Sequence, residues 1–218
     1  FLSEETNAAF CKAFLENALR DPLSNEIGKS LVFCVSQKHA AKITQILNVM
    51  AHKRWTGKYQ SDFALQITSN VENAQQFSIN FANNNLSGKS DFLEGYDTSK
   101  TRVCVTVGMM TTGYDCEDLL NICLMRPVFS PTDFVQMKGR GTRKYTFQYE
   151  NRANGADEIH TVEKQGYKLF DFFAVCEYFE EKYNYDEVLK LPPIGGGEGG
   201  GGGGVRTGEF ENFDLDPL

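Results

Sequence analysis

Short apolar runs alternate with amphipathic stretches along most of the chain. Residues 4–19, EETNAAFCKAFLENAL, bring Phe10, Phe14 and Leu15 together on one helical face. Asp21-Pro22 ends that helix, because proline lacks a backbone donor and crowds the preceding turn. Residues 30–35, SLVFCV, form a β-rich apolar run, the pattern of a strand covered on both faces. Residues 36–51 then space Ala40, Ile43 and Leu47 at helical intervals. FALQITS (63–69), RVCVTV (102–107), LLNICLM (119–125) and YKLFDFF (167–173) repeat the strand pattern, while 71–83 and 175–183 read as helices. Ser130-Pro131 opens one more helix: serine caps, proline suits the first helical position, and Asp133 lies in the first turn. Gly139 is expected to end it.

Strands alternating with helices imply parallel crossover units in a doubly wound α/β sheet. There is no internal repeat. Residues 148–166 are polar and read as an exposed insertion. GGGEGGGGGG (195–204) holds no regular fold; as a free linker it spans ~17 Å root-mean-square. The acidic tail after it, with Phe210, Phe213 and Leu215, reads either as a disordered end or as a docking peptide. The expected organisation is therefore an N-terminal helix and lead-in (1–29), an α/β domain (30–175), and a helical segment, glycine-rich linker and acidic tail (176–218).

Composition narrows the function. The 218 residues are 41% hydrophobic, enough for one ample core, and carry a net charge of -7. A domain that binds nucleic acid unaided is usually basic, so any such role rests on a local patch or on neighbouring domains. The six cysteines form no CxxC pair, and Cys34, Cys104 and Cys123 lie in apolar runs, as buried thiols of a reducing compartment do. The three histidines, His39, His52 and His160, lack ligand spacing, which argues against a metal site. No apolar stretch is long enough to span a membrane, and no secretory signal is present. A first residue of Phe rather than Met suggests a segment excised from a longer chain.

Three stretches imitate nucleotide-binding motifs. IGKS (27–30) and SGKS (87–90) lack the earlier glycine of a phosphate loop, having Leu23 and Asn83 there, and the first precedes a strand instead of following one. DEIH (157–160) has the letters of a helicase carboxylate box, but follows NRANGA, a loop composition, where a buried strand is needed.

TVGMMTTGYD (106–115) and QMKGRGTR (136–143) are different, because one strand and one capped helix separate them. Gly113 frees the backbone to turn, so that amides and the Thr111 and Thr112 hydroxyls can donate to phosphate oxygens. Asp115 is an acceptor for a ribose hydroxyl or for an arginine of the second motif. Arg140 and Arg143 offer permanently charged planar forks that suit a transferring phosphoryl group. The expected geometry places these groups on one exposed rim, at the carboxyl ends of the strands.

These residues resemble the second RecA-like domain of superfamily 2 helicases and translocases. SLVFCVSQKHA is similar to motif IV, TVGMMTTGYD to motif V and QMKGRGTR to motif VI. Over roughly residues 30–180 the pattern looks most like the motor (R) subunit of type I restriction enzymes. The resemblance implies that ATP binds between two such domains, the other supplying the phosphate loop and carboxylates. It makes Arg140 and Arg143 arginine-finger candidates, with Gln136 and Gly139 shaping their turn and Gly113 and Asp115 supporting the nucleotide site. Ser36, Ser69, Thr111 and Thr112 become candidate contacts to a DNA backbone. The implied partners are double-stranded DNA, a first RecA-like domain and a nuclease domain of the same chain, and methyltransferase (M) and specificity (S) subunits, in a prokaryotic cytoplasm. ATP and Mg2+ are the implied cofactors, with Mg2+ not held by this segment alone. Without a phosphate loop, helicase carboxylates or a nuclease signature, the segment alone is expected to be inactive. A type III restriction or other superfamily 2 helicase domain, or an inert RecA-like docking module, are the alternatives.

Overall fold

Four apolar runs and one short edge segment assemble into a five-stranded sheet in which every neighbouring pair is parallel. The computed structural model describes residues 3–109, 115–151 and 158–179. The strands are β1 (Ser30–Cys34), β2 (Ala64–Gln66), β3 (Val103–Thr106), β4 (Asn121–Met125) and β7 (Lys168–Asp171), in the order β2-β3-β1-β4-β7. The helices are α1 (Glu4–Asn17), α2 (Gln37–Arg54), α3 (Ala74–Ala82), α4 (Pro131–Gly139) and a short α5 (Val175–Glu177).

That order dictates which face each helix covers. The step from β1 to β2 moves one way across the sheet; every later step moves the other way. Right-handed crossovers then put α2 on one face and α3 and α4 on the opposite face. The cores agree. Leu31, Phe33, Ile122 and Leu124 pack with Phe81 of α3 and with Phe134 and Met137 of α4. Val32, Cys34, Val105 and Met125 pack with Ile43 and Leu47 of α2 and with Cys11 and Phe14 of α1. Successive residues of one strand thus enter different cores, which is why these strands read as unbroken apolar runs. Cys11, Cys34, Cys104, Cys116 and Cys123 are buried free thiols, and burial pushes the Cys11 thiol up to about 12.

Buried His39 joins α1 to the sheet. Its Nδ1 accepts from the Val35 amide at 3.3 Å, so Nε2 carries the hydrogen and donates to Asn7 Oδ1 at 3.0 Å. Burial lowers its pKa and favours this neutral form.

Two expectations need correction and a third needs refinement. Residues 148–166 are not simply a polar insertion, for they contribute to an antiparallel hairpin of β5 (Thr146–Asn151) and β6 (Glu158–Glu163). Phe147 and Tyr149 share its inner face and pack with Tyr96 and Leu120. Gly139 is the last residue of α4, as expected, though the helix does not end through a left-handed turn. Arg140, Gly141 and Thr142 instead donate to the carbonyls of Met137, Lys138 and Gly139, tightening the last turn into an i→i+3 pattern. Residues 67–69 lie beyond β2, although the Ile67 amide still donates to Val105 O at 2.8 Å.

The motif look-alikes have structural roles. Glu158, Ile159 and His160 belong to the hairpin, where His160 stacks on Tyr149 with ring centroids 5.0 Å apart. Gly88 adopts a positive φ of 86°, and exposed Lys89 pairs with exposed Asp97. Gly28 is a point of close approach: a Cβ there would stand 2.6 Å from Leu120 Cδ1 and 2.8 Å from the Leu19 carbonyl oxygen. Both neighbours belong to packed backbone and core. Gly28→Ala is therefore expected to destabilise the chain by about 1–3 kcal/mol, the usual cost of overpacking, read as a lower urea midpoint at unchanged slope.

Candidate functional site

Two groups of candidate residues lie at opposite ends of the sheet. The carboxyl end carries Ser36 and Ser69. Ser36 caps α2, its Oγ accepting from the His39 amide at 3.2 Å. Gln37 reaches across to the neighbouring loop, donating to Ser69 Oγ at 3.2 Å and accepting from Thr68 Oγ1 at 2.8 Å. Both serines are exposed. Arg126, just past β4, donates to Val107 O at 3.2 Å and ties the exits of β3 and β4 together.

The amino end carries the arginine turn. α4 is a crossover helix and runs back against the strand direction. Its nine residues cover about 13 Å, close to the length of a strand, so its last turn arrives at the amino edge. Lys164, just before β7, donates to Gly141 O and to Glu117 O, each at 2.9 Å, and Glu117 lies just before β4. The rim expected at the carboxyl ends is thus at the amino ends. A crossover connection must return to the start of the next parallel strand.

At this rim Arg143 Nε and Asp115 Oδ1 form an ion pair at 3.1 Å, with side chains 52% and 60% exposed. The tail of one motif therefore meets the arginine turn of the other. An ion pair this exposed contributes about 0–1 kcal/mol, so it orients Arg143 without locking it. Arg140, half-buried, occupies the C-cap of α4; Gln136 and Gly139 are half-buried in the helix behind it. Thr111, Thr112 and Gly113 lie outside the described residues.

The sequence reading missed three residues that build this corner. Lys164 has been noted. Tyr167 lays its ring against Gly141, where any Cβ would meet the Cδ2 and Cγ ring atoms closer than carbon atoms approach. Gly141 was legible only as part of GRGTR; the cue to its role is the single aromatic residue just before β7. Lys164 is half-buried, and desolvation lowers its pKa against the opposing influence of Cys116, Asp118 and Glu117. Among the described residues, no group of three His, Cys, Asp or Glu side chains is placed to hold a metal ion. Nor is any described helix long and apolar enough to cross a membrane.

No family model matches the chain. It is 30% identical over 192 residues to the type I restriction enzyme EcoKI endonuclease subunit of Escherichia coli K12, an alignment covering 86% of this chain and 14% of that subunit. The chain therefore spans about one seventh of that relative's length. Among solved structures, a fragment of an HsdR subunit of a type I restriction enzyme from Vibrio vulnificus YJ016 is 26% identical with a TM-score of 0.46, over 64% of this chain and 24% of that one. The helicase Lhr of Mycobacterium smegmatis, bound to ssDNA and AMP-PNP, is 16% identical with a TM-score of 0.43, over 63% and 14%. The aligned stretch covers the parallel sheet and both motifs, so this α/β domain is similar to a segment of a type I restriction enzyme endonuclease subunit.

Proposed function

We propose that this domain is the arginine-bearing half of an ATP-driven DNA translocase of the type I restriction class. Arg140 and Arg143 stabilise negative charge on a nucleotide held chiefly by a first RecA-like domain. Ser36 and Ser69, with Thr111 and Thr112, contact the DNA backbone. One observation carries the reading: an exposed guanidinium, oriented by Asp115, follows three residues after a second arginine at the end of α4. These donors suit the phosphates of ATP. They do not suit its metal, so in this reading Mg2+ arrives with the nucleotide and takes its protein ligands from the other domain.

The two-ended layout supports a division of labour. A DNA strand on the carboxyl rim and a nucleotide on the amino rim do not compete for space. The chain leaves β3 at the first rim and reaches β4 from the second, so the connection between these two strands serves both. ATP at the domain interface and DNA along the other edge are thereby connected through covalent structure. Duplex DNA, the nuclease domain and the methyltransferase and specificity subunits are the partners that this class of motor requires.

The test is a comparison of two polypeptides. The 218-residue chain alone is expected to release no phosphate from ATP and to leave DNA uncut. The same residues joined to a phosphate-loop motor domain of R-subunit type are expected to hydrolyse ATP in a DNA-stimulated manner. Phosphate release by the short chain, abolished by Arg140→Ala, would contradict the proposal.

A further inference from the structure

Resting on that reading, we propose that Lys164 is a positioning residue: its ammonium group sets the reach of the arginine turn toward the nucleotide. One Nζ donates to two carbonyls that belong to different segments, Gly141 O and Glu117 O, both at 2.9 Å. Gly141 is two residues from Arg143, and Glu117 is two residues from Asp115. The lysine therefore spans the same gap as the Arg143–Asp115 pair, but through the backbone rather than through exposed side chains.

The surroundings make this bridge stiff. The Lys164 amide donates to Tyr145 O at 2.8 Å, which fixes the stem at the open end of the hairpin. Phe147 of that hairpin is buried against Tyr96 and Leu120. Tyr167 presses on Gly141 from the other side and leaves no space for a side chain there. Gly141 is thus held by a ring and a charged hydrogen bond, one residue after Arg140. A hydrogen bond from a charged donor is roughly twice as strong as a neutral one, and partial burial spares it from competing water. The exposed ion pair has a charged donor too, but not the burial.

Methionine has nearly the same stem but no donor; arginine keeps the charge and can still address two acceptors. In the 218-residue chain, the Nε–Hε signal of Arg143 in a 15N-resolved NMR spectrum, assigned by its loss in Arg143→Lys, reports on the pair with Asp115. Lys164→Met is expected to move this signal to the position of a free arginine and to speed its exchange with water. Lys164→Arg is expected to keep it in place. A Lys164→Met spectrum with the Arg143 signal unmoved overturns the proposal. If that variant fails to fold, Lys164→Leu, which likewise has no donor, takes its place under the same criterion.

In a polypeptide that includes the phosphate-loop domain, Lys164→Met is expected to lower kcat about 10- to 100-fold, the scale on which a misplaced group costs rate. KM is expected to stay within about twofold, and Lys164→Arg to restore kcat. Loss of turnover in Arg143→Ala without loss in Lys164→Met overturns the positioning role while leaving the proposed function intact. Full turnover in Arg143→Ala overturns the proposed function, and the NMR measurement then still decides whether Lys164 holds the turn.

Discussion

Arg143→Ala and Arg140→Ala, each made in a polypeptide that also contains the phosphate-loop domain, are expected to lower kcat for ATP hydrolysis by about 10³–10⁵, the typical worth of an arginine finger. The reasoning starts from charge. As the phosphoryl group transfers, negative charge redistributes over its oxygens, and a fixed guanidinium fork meets it with no reorganisation. KM is expected to change far less, because a group that acts mainly on the transition state adds little to ground-state binding. Lysine at either position should not rescue, since a point charge on a flexible stem lacks the fork. Asp115→Asn separates the two readings of the rim. If Asp115 merely orients Arg143, its loss costs about tenfold or less, in line with the modest strength of an exposed pair. DNA-stimulated phosphate release at saturating ATP measures all five variants. Arginine variants within about tenfold of the parent rate would remove the nucleotide role from this rim.

Where those arginines lie was derivable from the chain, yet the sequence reading put them at the wrong end of the sheet. A helix between two parallel strands must run against them, and α4 is about as long as the strands it connects, so its C-terminus had to reach the amino edge. The motifs were legible because glycines and arginines in a fixed pattern are rare. The direction of the helix that delivers them has to be argued from topology. Strands β1, β3, β4 and β7 were legible because two cores claim alternate residues and keep the middle positions apolar. The hairpin was missed for the opposite reason. Its inner face uses every second residue, Phe147 and Tyr149, and the rest of the stretch is polar enough to look like solvent-exposed loop. The buried charges were invisible altogether. Arg102 is fully buried, donating to Ile27 O, Thr98 Oγ1 and Ser99 O and pairing with Asp21, whose Oδ2 also accepts from the Tyr96 hydroxyl at 2.8 Å. No periodicity marks such a residue, because its partners come from distant parts of the chain.

The other buried pair yields the largest expected loss of stability. Lys29, whose side chain is 1% exposed, bonds Asp118 at 2.8 Å, and Asp118 is only 4% exposed. Lys29 Nζ also donates to Asn84 Oδ1 at 2.8 Å and lies 4.7 Å from the centre of the Phe81 ring. Lys29→Met keeps most of the packing but leaves the carboxylate of Asp118 in the interior with, among the described residues, the Cys116 thiol at 3.1 Å as its remaining side-chain donor. Stranding one member of a buried pair costs about 3–5 kcal/mol, and chemical denaturation should register a loss of that order. Replacing both members tests the cause. Lys29→Met with Asp118→Asn removes the stranded charge and is expected to recover much of the loss, because a buried ion pair is often worth little more than neutral packing. A single-variant loss below about 1 kcal/mol, or a double variant no better than the single, would refute the account. The pair matters beyond stability. Asp118 follows Glu117, whose carbonyl receives Lys164, and the same short segment carries Asp115 to Arg143. Anchoring Asp118 to Lys29 fixes one side of the arginine rim from within the core, so Lys29→Met should also loosen the Arg143 side chain under native conditions. The double variant should restore stability without restoring that anchor, which separates the cost of a buried charge from the work of holding the rim.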